Sequence, residues 1–122
     1  MEPDDDRAVA IDLFATIAVS DYAAATPWYE RLLGGPPTFN ATDTEGVWQL
    51  GEHRWVVVEQ RPGQAGHSVL TILVPDLDAH LAVLAERGLE PSSWEPDLPG
   101  GMRKAVFLDP DRNEFGIGGG PT

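Results

Sequence analysis

The sequence predicts an α+β fold of two tandem βαβββ modules that form a curved mixed sheet around a cavity. The main observation is a repeat: an apolar run, an aspartate and a helix that ends at glycine occur twice, about 55 residues apart. The two copies are Leu13–Gly34 and Val69–Gly88, and strand-like runs follow each of them. A repeated unit of this size leaves one apolar face uncovered. Two such units placed face to face therefore enclose a cavity, where we expect the function to lie.

The first module is predicted to begin with a buried strand and a capped helix. Ile11–Val19 has the spaced β-branched residues that are typical of such a strand. Ser20 or Asp21 then caps a helix, because a short side-chain oxygen accepts hydrogen bonds from the free amides of the first turn. Pro27 lacks a backbone donor, so we expect a loose first turn and a regular helix from Pro27 up to the left-handed stop at Gly34. Three strands are expected next, near Thr38–Ala41, Gly46–Leu50 and Arg54–Gln60.

The second module repeats this order after the linker-like stretch Pro62–Gly66. A strand over Ser68–Val74 leads to a helix that Asp76 caps and that ends at Gly88. A turn is predicted at Asp109–Asn113, because Pro fixes φ and Asp and Asn bond back to nearby amides. A right-handed crossover makes the first strand of each module parallel to the strand after its helix. The remaining strands are expected near Ser92–Trp94, Arg103–Leu108 and Glu114–Ile117, followed by a flexible tail at Gly118–Gly120.

Length and charge limit the classes of function. The 122 residues fit a single domain, with module 1 over about residues 11–61, a linker at 62–66 and module 2 over about 67–118. The 20 acidic and 8 basic residues give a formal net charge of −12. Nucleic acids and anionic membranes bind through Lys and Arg, so we expect neither as a partner. The acidic balance favours solubility or a cationic ligand.

Composition also indicates the compartment. No run approaches the ~20 apolar residues that a membrane span needs. The segment MEPDDDRAVA lacks the basic and apolar regions of a signal peptide. Without any cysteine, disulfides and thiolate metal sites are excluded. We therefore expect a cytoplasmic protein.

Several short motifs occur in the same order in both halves and together resemble a known family. Over roughly residues 11–118, the chain resembles the vicinal oxygen chelate superfamily, which includes glyoxalase I, ring-cleaving dioxygenases, fosfomycin-resistance enzymes and bleomycin-resistance proteins. The resemblance implies a glyoxalase-like fold. For bleomycin-resistance proteins it also implies a homodimer whose two clefts lie at the subunit interface. The motifs are Val19-Ser20-Asp21, Ala25, Trp28-Tyr29 and Leu33-Gly34 in the first half, and Asp76-Leu77-Asp78-Ala79, Gly88, Asp109-Pro110-Asp111 and Asn113 in the second.

The positions that the family uses to hold a divalent metal carry no metal ligands here. Family enzymes place a His seven residues before each helix-capping Asp, and a Glu seven residues after the first Asp of the turn. In this chain, these positions are Phe14, Val69 and Gly116. Because divalent ions need imidazole or carboxylate donors, the resemblance implies that no metal cofactor is held at the usual place.

An alternative is a metal site displaced by two residues along each strand. Asp12 and His67 stand two residues before Phe14 and Val69, Glu114 stands two before Gly116, and Glu59 lies 55 residues before Glu114. A shift of two residues keeps a side chain on the same face of a strand. Asp12, Glu59, His67 and Glu114 therefore form a candidate site for one divalent metal. The competing interpretation is that they are solvated polar residues at strand ends.

The cavity wall follows from the alternation of side chains along each strand. If Phe14 faces inward, so does every second residue of the neighbouring strands, while Trp48 packs under the helix. An aromatic wall of this kind is suited to stacking on a ligand. The predicted ligand-binding residues are Phe14, Thr16, Val47, Gln49, Trp55, Val57, Glu59, Val69, Thr71, Met102, Lys104 and Val106.

These features leave three hypotheses for the function. The favoured one is a metal-independent, bleomycin-resistance or glyoxalase-like protein that sequesters an antibiotic or another hydrophobic or cationic small molecule. It needs no cofactor, has no catalytic residues and is expected to be a homodimer. The second is a metal-dependent lyase, isomerase or dioxygenase that uses one divalent metal at the displaced site. The third is a non-catalytic interaction domain whose cavity is filled by its own side chains.

Overall fold

The computed structural model describes residues 10–120 and contains both βαβββ modules. Each module is a four-stranded mixed sheet with a helix against one face, so the predicted α+β fold is confirmed. Residues 1–9, which make up most of the segment that lacks the features of a signal peptide, lie outside the described residues. Module 1 consists of β1 (Leu13–Val19), α1 (Tyr22–Leu33), β2 (Phe39–Thr42), β3 (Glu45–Gly51) and β4 (Arg54–Gln60). Module 2 consists of β5 (Val69–Leu73), α2 (Leu77–Glu86), β6 (Ser93–Leu98), β7 (Met102–Leu108) and β8 (Glu114–Gly119).

The first strand of each module pairs with the last one. The strand orders are β1-β4-β3-β2 and β5-β8-β7-β6, with β1 parallel to β4 and β5 parallel to β8. The strands that follow the helices, β2 and β6, run in the same direction as β1 and β5, as a crossover predicts. They do not pair with β1 and β5, however, but lie at the opposite edge of each sheet. Neither helix is long and apolar enough to span a membrane, as far as residues 10–120 are concerned.

Helix α1 begins earlier than the sequence predicts. It starts at Tyr22, because the Asp21 carboxylate accepts from the Ala24 amide at 3.3 Å and caps the first turn. The expected regular start at Pro27 is therefore wrong. A proline at this position lacks a single helical hydrogen bond, and tertiary packing of the buried helix face outweighs that loss. The buried stripe consists of Tyr22, Ala25, Tyr29 and Leu32.

The other helix boundaries agree with the prediction. Asp76 accepts from the Ala79 amide at 3.1 Å and caps α2. Gly34 ends α1 with a φ of 95°, in the left-handed region that favours glycine. Gly88 has a φ of 83° and follows the last turn of α2. Local capping chemistry is thus sufficient to place these helix ends.

Strand β8 extends further than predicted. Gly118 and Gly119 are buried residues of this strand, so the expectation of a flexible tail is wrong for both of them. A Cβ atom at Gly119 would lie 2.9 Å from the Leu77 Cβ atom. The glycine therefore allows α2 to approach the sheet closely.

One hydrophobic core spans both modules. Tyr29 on α1 contacts Phe115 on β8, with ring centroids 6.5 Å apart, and it also packs against Trp48 on β3. The aromatic rings of α1 thus join the two sheets. The buried cluster also contains Ile17, Val19, Val56, Val58, Leu77, Leu84, Leu89, Ala105, Phe107 and Ile117.

A polar junction of Tyr29, Asp109 and Asn113 lies beside this core and links the modules. The Tyr29 hydroxyl donates to Asp109 Oδ2 at 2.6 Å. Asn113 Nδ2 donates to the Ala18 carbonyl at 2.8 Å, and Asn113 Oδ1 accepts from the Ser68 amide at 2.8 Å. Burial, followed by the hydrogen bond to Asp109, raises the pKa of the Tyr29 phenol far above its ordinary value. Tyr29 therefore remains a neutral hydrogen-bond donor.

Candidate functional site

The predicted ligand-binding residues lie on the face of each sheet that is opposite its helix, here called the open face. Cross-strand partners share one face of a sheet. On the first sheet, Phe14 and Gln49 are both opposite Trp55, and Thr16 and Val47 are both opposite Val57. Trp48 and the alternate residues of β1 and β4 instead belong to the core beneath α1. The structure thus brings Phe14, Thr16, Val47, Gln49, Trp55, Val57 and Glu59 together on the first open face, where Val47 and Val57 are nevertheless buried.

The second open face has fewer bulky side chains. Thr71 on β5 and Val106 on β7 flank Gly116 on β8, and Lys104 is opposite Gly118. Val69 leads this row and is opposite Glu114. The predicted residues on this face are Val69, Thr71, Met102, Lys104 and Val106.

An aromatic cluster of Phe14, Phe39 and Trp55 dominates the first open face. The Phe14 and Trp55 rings are stacked, with centroids 5.5 Å apart and planes 9° apart. Phe39 meets Trp55 edge to face at 6.2 Å. Phe14 and Phe39 are 53% and 48% exposed. The cluster therefore offers flat apolar surface to a ligand without having to open the core.

Phe39 was missed in the sequence analysis, although a signal for it exists. It is opposite Val47 across the β2–β3 pair, and Val47 was assigned to the cavity wall from alternation. Extending the same alternation to the outer strand places Phe39 on the open face. The short, exposed strand β2 has a register shift between Asn40 and Thr42, which obscures this pattern in the sequence.

Asp12 holds the Trp55 ring in place. The Trp55 indole donates to Asp12 Oδ1 at 3.2 Å, and His53 Nδ1 lies 3.1 Å from the same oxygen. A second His53 nitrogen, Nε2, lies 3.4 Å from a Glu52 carboxylate oxygen. Asp12 therefore orients an aromatic side chain and places a carboxylate next to the aromatic cluster.

A groove of about 1040 Å³ runs between the two modules. Gln49, Trp55 and Thr71 are the predicted ligand-binding residues that line it. His80 lines the α2 side of the groove, and burial, then the charge of Arg87, lowers the pKa of its imidazole. The other lining residues are mainly apolar ones from β1, β5 and the two helices, among them Leu13, Leu32, Leu70, Ile72 and Val83.

The family's metal positions do not fit a metal in this chain. Phe14 and Val69 occupy matching places on β1 and β5, and neither side chain has a donor atom. Gly116 is opposite Thr71, and its counterpart in module 1 is Val57, which is opposite Thr16. Apolar groups and a bare glycine therefore stand where a cation would need oxygen or nitrogen ligands.

The displaced site is not assembled. Asp12 precedes Leu13 at the start of β1, whereas Glu59 is opposite Ala18 near its end. Six residues of strand separate these two levels by about 20 Å. The assumed equivalence of Glu59 and Glu114 is also wrong, because Glu114 is opposite Val69 at the start of its strand pair.

Among the described residues, the other potential metal ligands are also too far apart to form a site. Within residues 10–120, no three His, Cys, Asp or Glu side chains come close enough to hold a metal ion. The displaced candidates are therefore separate residues at or near strand ends and do not form one site. They are Asp12, Glu59, His67 and Glu114.

Comparison with known proteins identifies similar sequences and folds. The family model of the Glyoxalase/Bleomycin resistance protein/Dioxygenase superfamily matches residues 10–117. No curated protein matches the chain. Among solved structures, a glyoxalase/bleomycin resistance protein from Catenulispora acidiphila is 46% identical, with a TM-score of 0.85 over 92% of this chain and 100% of that chain.

Two more distant structures have the same fold. The antibiotic binding protein TnmS3 from Streptomyces sp. CB03234 is 24% identical, with a TM-score of 0.70 over 94% of this chain and 99% of that chain. The fosfomycin resistance protein FosX from Listeria monocytogenes is 15% identical, with a TM-score of 0.68 over 93% of this chain and 96% of that chain. At these identities, the likeness shows the fold alone.

Proposed function

We propose that this chain, which belongs to the glyoxalase/bleomycin resistance protein/dioxygenase superfamily, binds a small molecule without a metal. The proposed ligand is flat and hydrophobic or cationic, and the protein sequesters it. An antibiotic is one such molecule, as in the antibiotic binding protein with the same fold. The exposed aromatic cluster on the first open face carries the proposal. Asp12 fixes the half-buried Trp55 ring, and the rings of Phe14 and Phe39 are presented to solvent rather than used as core.

The chemistry of the open faces supports binding rather than metal-assisted catalysis. Phe14, Val57, Val69 and Gly116 supply no ligand for a divalent ion. Flat aromatic surface, by contrast, binds planar ligands by stacking and cationic ligands through the ring quadrupole. At low ionic strength, the net charge of −12 also attracts cations over longer distances.

We also propose that the binding protein is a homodimer. Val69 and Leu73 are 69% and 66% exposed on the second open face, and Phe14 is 53% exposed on the first. Large exposed apolar side chains that cluster on a protein surface are typical of interaction sites. A second copy of the chain would cover part of both faces and convert an open surface into a cleft.

The proposal is tested by substituting Trp55. Wild-type protein is titrated by calorimetry with 9-aminoacridine, a planar cation, and with metal-free bleomycin. Trp55→Ala is expected to weaken the binding of 9-aminoacridine at least about tenfold, because a buried aromatic contact contributes about 1.5–3 kcal/mol. Bleomycin, whose planar bithiazole also stacks, should lose affinity in the same direction.

A matched control comes from Trp94, which is 46% exposed. Trp94 is opposite the core residue Ala105 and therefore lies on the other face of the second sheet. Trp94→Ala is expected to leave both affinities unchanged. Equal losses in the two variants, or stoichiometric uptake of Zn²⁺ or Ni²⁺ by the purified chain, would contradict the proposal.

A further inference from the structure

Gly116 leaves a space on the second open face that a lysine fills. A Cβ atom at Gly116 would lie 2.8 Å from Lys104 Cδ and 3.3 Å from Lys104 Cγ. The same Cβ would lie 2.9 Å from Thr71 Oγ1. The alkyl chain of Lys104 thus crosses the position where any other residue would place its side chain. The Thr71 hydroxyl borders the same position.

The ammonium group of Lys104 forms an ion pair that does not use all of its hydrogen-bond donors. Nζ lies two bonds beyond Cδ and is 2.9 Å from Glu95 Oε2, on the opposing residue of β6. An ammonium has three donors, so a single carboxylate leaves others for a ligand. The Lys104 side chain is 23% exposed and that of Glu95 is 49% exposed. Lys104 is therefore the more shielded partner, and a charge contact there is less screened by solvent.

We propose that Lys104, together with Thr71, recognises an anionic oxygen, such as a carboxylate, on the sequestered molecule. The inference rests on the proposed binding function and, of its two ligand classes, selects a flat hydrophobic molecule with an anionic end over a cationic one. The alkyl chain of Lys104 covers Gly116, where the family pattern would place a metal-binding carboxylate, and its ammonium lies against Glu95. The site thus recognises an oxygen-bearing group through a fixed ammonium and a hydroxyl. The aromatic body of the ligand would contact the cluster on the first open face.

The interaction with Lys104 acts at short range, so the negative charge of the rest of the surface does not prevent it. At physiological ionic strength, charges are screened over about 8 Å, so the net charge of −12 has little effect on a group in direct contact with Lys104. A charge-assisted hydrogen bond to an ammonium acts within this distance. An anionic group is therefore expected to bind at this point despite the acidic protein.

The experiment uses two probes with the same aromatic body, 2-naphthoate and 2-naphthylmethylammonium, titrated by calorimetry in 0.15 M salt. Wild-type protein is expected to prefer 2-naphthoate. Lys104→Met should weaken 2-naphthoate at least about tenfold and leave the ammonium probe unchanged or strengthened. Glu95→Gln should strengthen 2-naphthoate, because it removes the competing carboxylate. Lys104→Arg should retain the preference.

Arg103 supplies the matched control. It neighbours Lys104 on β7 but pairs with Asp78 at 3.2 Å, on the helix side of the sheet. Arg103→Met is expected to leave the ratio of the two affinities unchanged. If both probes bind and Trp55→Ala weakens both, but Lys104→Met leaves their ratio unchanged, the Lys104 inference is overturned while the proposed function stands. If neither probe binds to the wild type, the Lys104 inference is overturned, whereas the proposed function stands or falls on the titrations with 9-aminoacridine and bleomycin.

Discussion

The polar junction between the modules gives a stability prediction of defined size. Tyr29→Phe removes one oxygen, which donates to Asp109 Oδ2 at 2.6 Å. Tyr29 is fully buried and Asp109 is 4% exposed, so water does not replace the lost donor. Asp109 keeps its bonds from Asn113 Nδ2 and from the Asp111 and Asn113 amides. The expected loss is therefore that of one hydrogen bond to a charged group, about 1.5–3 kcal/mol.

Urea unfolding followed by circular dichroism measures this loss. The urea dependence of unfolding is about 1–3 kcal/mol per molar, so the midpoint for Tyr29→Phe should fall by roughly 1 M. Tyr22→Phe is the matched control, because its hydroxyl donates to the neutral Asn40 Oδ1 at 2.9 Å in a less buried place. This variant should lose only about 0.5–1.5 kcal/mol.

The pH dependence provides a second readout. Burial and the Asp109 bond raise the pKa of Tyr29 in the folded protein. Above pH ~10, Tyr29 therefore ionises in the unfolded chain first. The unfolded state then binds fewer protons, so wild-type stability falls as pH rises. Tyr29→Phe lacks the ionisable phenol and does not lose stability in this way. The difference in the free energy of unfolding between wild type and Tyr29→Phe should therefore become smaller above pH ~10. Tyr22 is present in both proteins and does not affect this comparison. Equal losses for Tyr29→Phe and Tyr22→Phe, with a deficit independent of pH, would refute the reasoning.

Two further predictions concern the groove and the dimer. Burial and Arg87 lower the pKa of His80 in the folded protein. The unfolded state therefore binds more protons below pH ~6.5, and the free energy of unfolding falls as the pH drops. The difference between the urea midpoints at pH 5 and pH 7.5 should be smaller in His80→Gln than in the wild type, and an unchanged difference would count against this role of His80. Leu73→Glu places a charge on a residue that is 66% exposed, so sedimentation should show a monomer. Because dimerisation stabilises the folded chain by mass action, the urea midpoint of the wild type should rise with protein concentration and that of Leu73→Glu should not. A monomeric wild-type protein would contradict the proposed homodimer.

Alternation and local capping explain why much of the fold could be predicted from sequence. Trp48 and Trp55 lie on adjacent strands, yet alternation assigned the first to the core and the second to the open face, and the structure has both there. Asp21 and Asp76 cap helices because a carboxylate followed by free amides is a local arrangement. Strand alternation and helix capping depend on residues that are close together in the sequence, so they can be predicted from the sequence alone.

The incorrect predictions depend on contacts that are distant in sequence. Pro27 lies inside α1 because packing against the sheets outweighs the loss of one hydrogen bond. Gly118 and Gly119 resembled a flexible tail, but backbone pairing with β5 and β7 makes them part of a strand. The equivalence of Glu59 and Glu114 failed because spacing along the chain does not fix register across a sheet. The Lys104 chain over Gly116 could not be predicted for the same reason.

The two modules have the same strand order but different surface chemistry, and this difference bears on the ligand. Phe14 is opposite Trp55, whereas the matching residue Val69 is opposite Glu114. One face thus presents stacked rings where the other presents a valine and a carboxylate, and Lys104 adds an ammonium group to that second face. A ligand with two identical halves would match only one of these faces. A molecule that contacts both faces should therefore be chemically asymmetric, with an aromatic body at one end and an oxygen-bearing group at the other.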